Sequence, residues 1–283
     1  MYKIVKKIIL NDNVTRMDIL APGIAKKAKP GQFIIIRAND HGERIPLTIA
    51  DTDIEAGTVT IIFQIVGKTT SVLNRFKEGE SVLDFVGPLG TPSHLDGFKK
   101  AAVVGGGLGT AISYPQTKAL HNMGAEVHAI AGFRNKDLII LEDELKKCSD
   151  KTIIMTDDGS NGNQGFVTDA LKKLIDEGNQ YDVVIAIGPL QMMRAVCNLT
   201  KEYGIKTIVS MNPIMIDGTG MCGVCRVTVG GETKFACVDG PDFDGHLVDF
   251  EEAILRNRTF VEEEKRSRDE DCNLMQKEVE IDG

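Results

Sequence analysis

Three of the six cysteines in this 283-residue chain fall within sixteen residues of one another. Together with a preceding aspartate they form the pattern Asp217-x4-Cys222-x2-Cys225-x11-Cys237. A plant-type 2Fe-2S site has the spacing Cys-x4-Cys-x2-Cys and a distant fourth cysteine, so Asp217 stands where the first thiolate would be. A carboxylate can ligate iron, and its harder oxygen would change the reduction potential. The segment therefore predicts a 2Fe-2S cluster site.

Two other interpretations of these cysteines stay open. A zinc ion could be held by the three thiolates with a carboxylate or histidine, although structural zinc sites more often use two close pairs. The thiols could also be free. Asp239, two residues after Cys237, competes with Asp217 as the fourth ligand. Nothing in the spacing around Cys272 indicates that it is a further ligand.

Composition argues against several classes of function. The net charge of -8 disfavours a nucleic-acid groove, which needs a basic stripe. No apolar run approaches the ~18 residues of a transmembrane helix. Asn11, Asp12 and Asn13 end the N-terminal apolar stretch too early for a signal peptide. We expect a cytoplasmic protein without nucleic-acid or membrane partners, in which clustered cysteines favour metal ligation over disulfides.

The chain divides into four segments of different character. Residues 1–97 contain short β-branched runs separated by turn residues, which predict an antiparallel β-barrel. Residues 98–212 alternate strands with helices, as in a doubly wound α/β domain with a parallel sheet. Residues 213–248 are rich in Gly and Cys, with one strand pair around the Gly230-Gly231 turn. Residues 249–283 form a charge-dense helical tail that either faces solvent or clamps a partner.

A glycine-rich turn opens the predicted α/β domain, between a buried strand and a helix. Glycine lets a pyrophosphate approach closely, and the helix N-terminus supplies amides and a positive dipole. The strict G-x-G-x-x-G/A pattern fails at Thr110. Ligands of open α/β sheets bind at the carboxyl ends of the strands, so we expect a dinucleotide crevice there. Its candidate residues are Gly105, Gly106, Gly107, Gly109, Thr110, Arg134, Asp157, Gly188, Pro189 and Met192.

Some of these polar residues have simpler explanations. Asp157 could serve only to form a turn or cap a helix. Arg134, just after a strand, could meet the 2′-phosphate of NADP or be merely exposed. In the first segment, Arg44 could pair with a pyrophosphate, and residues 67–71 (Gly-Lys-Thr-Thr-Ser) offer hydroxyls and amides to another anion. Taken alone, both stretches are also ordinary turns.

The order of these segments resembles the ferredoxin-NADP reductase superfamily. The motifs that carry the resemblance are RIPLTIA, VGKTTSVL, GPLG, GGGLGTA, TDDGSNGNQGFVTDAL, GPLQMM and DGTGMCGVCRV. Within the superfamily, the chain resembles electron-transfer subunits that carry FAD, bind NAD and end in a 2Fe-2S domain. Such subunits occur in dihydroorotate dehydrogenase, in NADH-dependent reduced ferredoxin:NADP oxidoreductase and in sulfide dehydrogenase. Asp217 is similar to the aspartate of the ferredoxin:NADP type, whereas the dihydroorotate type resembles a four-cysteine site.

The resemblance implies that hydride passes between NAD(H) and the flavin, and that the cluster passes single electrons onward. It implies a heterodimer with a larger subunit that carries a second flavin and further clusters and bifurcates electrons between NAD, NADP and ferredoxin. One departure is that the family's arginine sits at position 45, where this chain has Ile45. A zinc-containing, nucleotide-binding regulator without redox activity remains a third possibility. The FAD-binding residues implied are Arg44, Pro46, Leu47, Thr48, Gln64, Val66, Gly67, Thr69, Thr70 and Ser71.

Overall fold

The computed structural model describes residues 1–266, which begin with a seven-stranded antiparallel sheet. Alternating apolar residues such as Met17, Ile19, Ile61 and Phe63 turn to one side and form a buried core. The sheet is nearly closed, which confirms the predicted barrel. The strands pair in the order β6-β1-β2-β5-β4-β3-β7. They are β1 (Tyr2–Asn11), β2 (Val14–Leu20), β3 (Phe33–Arg37), β4 (Ile45–Asp53), β5 (Thr58–Gln64), β6 (Ser81–Val82) and β7 (Asp84–Leu89).

Two short helices, α1 (Pro22–Ala25) and α2 (Lys68–Arg75), connect barrel strands. Helix α2 covers most of the segment that the sequence predicted as a polar turn. The Thr70 hydroxyl accepts hydrogen bonds from the amides of Val66 (3.0 Å) and Gly67 (3.1 Å) and donates to the Gly67 carbonyl (3.0 Å). This local network starts a helix in a Thr-Thr-Ser stretch of low intrinsic helix propensity.

A parallel sheet with helices on both faces follows, which confirms the predicted doubly wound domain. Its strand order is β10-β9-β8-β11-β12-β15, where β15 spans Asp242–Asp244, so the chain changes its direction of travel between β8 and β11. That position is the topological switch point, where such sheets bind ligands. Parallel strands are β8 (Lys100–Gly106), β9 (Glu126–Phe133), β10 (Lys151–Thr156), β11 (Val183–Ile187) and β12 (Thr207–Ser210), and helices are α3 (Gly109–Asn122), α4 (Glu142–Lys147), α5 (Val167–Asp176) and α6 (Leu190–Glu202).

The cysteine-rich segment is joined to this sheet. The predicted strand pair is present as β13 (Arg226–Val229) and β14 (Glu232–Phe235), and β15 (Asp242–Asp244) pairs antiparallel with β12. Cys225 and Cys237 share a buried core with residues of β12 and its extension. The boundary proposed between residues 212 and 213 thus separates stretches that share a sheet and a core. The tail begins with α7 (Phe250–Arg256), and Cys272 lies outside the described residues.

Polar contacts hold the barrel against the other two regions. Lys118 of α3 donates to Asp51 of β4 at 2.9 Å, which ties the sheet to the barrel. Thr91, just after β7, donates through its amide to the Gly240 carbonyl (2.7 Å) and through its hydroxyl to the Val238 carbonyl (3.0 Å). The cysteine-rich segment therefore sits at the end of the barrel where β7 leaves it. No helix within residues 1–266 is long and apolar enough to cross a membrane.

Candidate functional site

Two glycine turns that lie about 80 residues apart in the sequence meet at the switch point. A Cβ on Gly109 would clash with the Ile187 carbonyl oxygen and lie 2.7 Å from the Gly188 Cα. A Cβ on Gly188 would lie 3.1 Å from the Gly106 Cα. Only glycines allow this contact, so the start of α3 lies directly against the end of β11. The structure thus brings the first candidate turn together with Gly188, Pro189 and Met192.

The open side of the first turn has the features of an anion site. Gly107 has φ +55° and no atom within 4 Å of the position its Cβ would take. Thr110 is fully buried, and its hydroxyl has no partner within the described chain. Buried hydroxyls are normally hydrogen-bonded, so one beside a glycine turn is available to a ligand. The amides of Thr110 and Ala111 donate to the carbonyls of Gly107 (3.1 Å) and Leu108 (2.9 Å), and the positive end of the 14-residue helix α3 lies beside this turn.

Arg134 and Asp157 lie on adjacent strand ends at the same edge of the sheet. Both side chains are exposed, and the Asp157 amide donates to the Phe133 carbonyl at 3.0 Å. The next residue, Asp158, accepts hydrogen bonds from the hydroxyl and amide of Ser160, and these bonds lower the pKa of its carboxyl group. The loop after β10 is thus ordered by its own side chains. Ser160 was not among the predicted site residues, although it stands in a motif that carried the resemblance.

The candidate flavin residues lie along β4 and at the start of α2. Pro46, Leu47 and Thr48 are half-buried within β4, and 62% of the Val66 surface is exposed. The Thr70 hydroxyl is used within the turn, so the amides of the first α2 turn are the groups left for an anion. A Cβ on Gly67 would meet open space. These residues fit a flavin and its phosphates.

Two candidates in this region make contacts that the sequence did not predict. The Thr69 hydroxyl donates to the Glu43 carboxylate at 3.0 Å. Arg44 donates from Nε to the carbonyl oxygen of Ile216 at 3.3 Å, across 172 residues of sequence. The arginine predicted to bind a flavin phosphate therefore contacts the residue that precedes Asp217.

Cys225 and Cys237 form one half of the candidate cluster site. Both are buried, and their Sγ atoms lie 3.2 Å apart. A disulfide bond is about 2.05 Å long, whereas two thiolates on one tetrahedral metal would lie about 3.8 Å apart. Burial raises the pKa of Cys237 to about 12, so the thiolate form needs a bound metal to displace the proton. The amide of Gly220 also points at this sulfur.

Asp217 and Cys222 form the other half. The Asp217 carboxylate accepts hydrogen bonds from the amides of Thr219 (2.5 Å) and Cys222 (2.8 Å), and these bonds lower its pKa. The same carboxylate contributes to the raised pKa of Cys237, which places it near that sulfur. Asp239, the competing carboxylate, instead accepts from the amide of Phe235 at 2.7 Å. Both carboxylates are thus held by backbone amides, and Asp217 stays the candidate ligand because its charge acts on the Cys237 sulfur.

The loop around these four residues is shaped by glycines. Gly218, Gly220 and Gly223 have φ values of +77°, +83° and +69°, a region that other residues rarely adopt. Within residues 1–266, no three His, Cys, Asp or Glu side chains are arranged around a single metal ion. A 2Fe-2S cluster distributes its ligands over two irons, and the donors here form a thiol pair and a carboxylate-thiol pair. The donor set fits such a cluster.

Fold comparisons define the class of protein. The cytochrome b5 reductase domain of Ulva prolifera nitrate reductase superimposes with a TM-score of 0.57 at 18% identity, covering 72% of this chain and 92% of that one. The family described as the iron-sulfur cluster binding domain of dihydroorotate dehydrogenase B matches residues 212–249. The chain thus has a ferredoxin-reductase-like fold, and residues 212–249 match an iron-sulfur cluster binding domain, as predicted.

Full-length relatives define the family. A dihydroorotate dehydrogenase B (NAD(+)) electron transfer subunit homolog of Thermotoga maritima is 48% identical over 94% of this chain and 93% of its own length. The electron transfer subunit of Fusobacterium nucleatum is 35% identical over 83% of this chain and 93% of its own. The chain belongs to the family of dihydroorotate dehydrogenase B electron transfer subunits and their homologues.

A solved structure resembles the whole chain. It comes from work on flavin-based electron bifurcation by the NADH-dependent reduced ferredoxin-NADP oxidoreductase. The two superimpose with a TM-score of 0.90 at 46% identity, covering 95% of this chain and 97% of that one. The predicted resemblance to electron-transfer subunits is therefore confirmed.

Proposed function

We propose that this chain is the FAD- and 2Fe-2S-containing electron-transfer subunit of an electron-bifurcating, NADH-dependent ferredoxin:NADP oxidoreductase. It exchanges hydride with NAD(H) and passes single electrons to a larger partner flavoprotein in a heterodimer. The observation that carries the proposal is the aspartate in the cluster loop. Asp217 occupies the first ligand position and is held in place by two backbone amides. The similarity to the bifurcating enzyme over nearly the whole of both chains supports it.

In this proposal, the barrel holds FAD along β4 and at the start of α2. Thr48 and Leu47 lie beside the flavin ring, and the first amides of α2 bind its phosphates. Gln64 and Val66, at the end of β5, border the same space. The bound flavin supplies two-electron chemistry toward nicotinamide and one-electron chemistry toward the cluster. The chain's own contribution is to position the flavin and to keep water from the barrel face.

NAD(H) binds at the switch point of the parallel sheet. The glycine turn from Gly105 to Gly109 receives the pyrophosphate, and the Thr110 hydroxyl donates to it. Gly188, Pro189 and Met192 pack against this turn and border the proposed site. The exposed carboxylate of Asp157 lies beside Arg134 on the neighbouring strand end. We propose NAD(H) rather than NADP(H) as the physiological ligand, and titration with both cofactors tests this: tighter binding of NADPH would contradict it.

The cluster is the point at which electrons leave the chain. Cys222 is exposed, whereas Cys225 and Cys237 are buried, so one side of the ligand set faces solvent or a partner. We propose a cytoplasmic location, which agrees with the use of thiols as metal ligands in a reducing compartment.

A visible spectrum of the purified protein tests the cofactor content. We expect flavin absorption together with sulfur-to-iron charge-transfer bands. A colourless protein would contradict every redox function. Replacing Asp217→Cys is expected to change the electron paramagnetic resonance spectrum and the potential of the cluster. The matched control is Asp239→Asn, which keeps an acceptor for the Phe235 amide and should leave both unchanged.

A second candidate function has its own support. The match of residues 212–249 and the named relatives favour the electron-transfer subunit of an NAD-dependent dihydroorotate dehydrogenase. A sulfide dehydrogenase subunit is a further variant of the same chemistry. The partner separates these possibilities. A tagged chain purified from its source should bring down a glutamate-synthase-like flavoprotein under our proposal, and a dihydroorotate dehydrogenase under the alternative.

A further inference from the structure

One cationic side chain of the barrel contacts the cluster loop. Arg44 precedes the first residue of β4, and its Nε donates to the Ile216 carbonyl at 3.3 Å. Successive side chains of an extended chain point to opposite sides. Ile45 packs against the barrel core, and Arg44 points away from it toward the cluster loop. An arginine at position 45 would lie on the other side, so the one-residue shift redirects the guanidinium.

The cluster loop is fixed against the barrel at the same place. A Cβ on Gly218 would lie 2.8 Å from Cδ1 of Leu89 and 3.0 Å from Cγ1 of Ile35, which belong to β7 and β3. The loop thus packs directly on the barrel beside the Arg44 contact. The Arg44 guanidinium carries a permanent positive charge. Its contact residue, Ile216, directly precedes Asp217 in the chain.

We propose that Arg44 is a positioning residue of the 2Fe-2S cluster: it fixes the Ile216 carbonyl and the Asp217 ligand against the barrel, and its charge raises the reduction potential of the cluster. This inference rests on the proposed function, in which Asp217 is a ligand. Reduction adds one negative charge to the cluster, and a nearby fixed cation stabilises that charge. A cluster next to the flavin barrel then accepts electrons more readily.

The proposal assigns to Arg44 a role different from that of a flavin phosphate ligand. The phosphate groups in our account are bound by the amides of the first α2 turn. Neutral and cationic substitutions of Arg44 therefore separate the two roles. A phosphate ligand would change flavin content, and a cluster-positioning residue would change the cluster's potential and spectrum.

The test is a redox titration of the intact protein, with the cluster followed by electron paramagnetic resonance and FAD content measured in parallel. We expect Arg44→Gln to shift the cluster potential to a more negative value and to keep stoichiometric FAD. Arg44→Lys keeps the charge and should restore most of the wild-type potential. Lys27→Gln removes one charge from an exposed position of the barrel domain and should change nothing.

Two results would overturn the proposal. One is an Arg44→Gln protein whose cluster potential and spectrum equal those of the wild type. The other is a protein that loses FAD and keeps the wild-type cluster. If Arg44→Gln does not yield folded protein, Arg44→Met is measured with the same expectation. The proposed function has its own test: a wild-type protein without flavin or cluster absorption would refute it before any Arg44 variant is made.

Discussion

Polar side chains at the two edges of the parallel sheet differ in whether they have hydrogen-bond partners. At the amino edge, Lys100 donates to Glu126 at 2.8 Å, and His128 contacts both Glu126 (3.1 Å, Nε2) and Tyr181 (2.7 Å, Nδ1). At the carboxyl edge, the buried Thr110 hydroxyl has no partner in the described part of the chain. The polar side chains named at the amino edge have partners within the protein, whereas the carboxyl edge contains a buried hydroxyl without one.

This difference separates stability from binding. A buried polar group that is hydrogen-bonded contributes to folding, whereas an unpartnered one costs about 1–3 kcal/mol until something binds it. Glycines mark the same contrast: at the carboxyl edge a Cβ on Gly109 or Gly188 would meet backbone atoms, whereas at the amino edge a Cβ on Gly124 would meet open space. Substitutions at the amino edge should therefore change the free energy of unfolding alone. Those at the carboxyl edge should change the affinity for NADH.

The largest effect is expected from Gly109→Ala. The added Cβ would meet the Ile187 carbonyl oxygen and the Gly188 Cα, which are backbone atoms that cannot move aside. We expect an affinity for NADH reduced by more than tenfold and a loss of about 1–3 kcal/mol in the free energy of unfolding, typical of overpacking. Fluorescence titration and thermal unfolding measure the two. In the control Gly23→Ala the new Cβ meets open space, and equal effects in both variants would contradict the close-contact argument.

Thr110→Val sharpens the comparison because it should weaken NADH binding without lowering the free energy of unfolding. Valine removes the unpartnered hydroxyl at nearly constant volume, so the free energy of unfolding should stay the same or rise by about 1 kcal/mol. The affinity for NADH should fall about tenfold if the hydroxyl donates to the pyrophosphate.

The matched control lies in the same helix. Thr117 is also fully buried, but its hydroxyl donates to the Ser113 carbonyl at 2.9 Å. Thr117→Val should therefore leave NADH binding unchanged. If Thr110→Val binds NADH as tightly as the wild type does, the hydroxyl is not part of the nucleotide site.

The sequence predicted the architecture because the signals for it are local. Strand alternation, the helix-strand rhythm after residue 98 and the Gly230-Gly231 turn each depend on neighbouring residues. The candidate cluster ligands could be proposed for the same reason, since three of them fall in a nine-residue stretch. Spacing favoured Asp217 over Asp239, and the structure adds that the charge of Asp217 acts on Cys237.

Contacts between distant segments could not be predicted in this way. Arg44 and Ile216 are 172 residues apart, and their contact depends on how the cluster loop packs on the barrel. The addition of β15 to the parallel sheet depends on pairing with β12, which the short sequence Asp-Phe-Asp does not indicate. Helix α2 begins because the Thr70 hydroxyl closes the turn at Gly67, and propensity alone does not reveal that network.

At the amino edge, Tyr181→Phe tests the opposite half of the comparison. The change removes the hydroxyl that lies 2.7 Å from His128 Nδ1 and leaves the ring packing intact. We expect a loss of about 1 kcal/mol in the free energy of unfolding. NADH affinity and the visible spectrum should stay as in the wild type. The control Tyr203→Phe removes an exposed hydroxyl bonded to Asp176 and should cost less. A change in NADH binding by Tyr181→Phe would show that the two edges are coupled.

The smallest effect concerns pH. Burial, followed by the nearby Lys100, lowers the pKa of His128 below its usual value of 6.5, against a smaller opposing effect of Glu126. Since the folded protein holds this histidine neutral, its contribution to stability is present above pH 6.5. It declines as the pH falls below 6.5, where the unfolded chain gains a proton first. The wild type should therefore lose more unfolding free energy between pH 7 and pH 5 than His128→Gln does, measured by denaturant unfolding. Thr117→Val, which changes a buried side chain without a titratable group, is the control and should keep the wild-type slope. Equal slopes for the wild type and His128→Gln would mean that folding does not disfavour protonation of His128. The hydrogen-bonded network at the amino edge would then not exclude a proton.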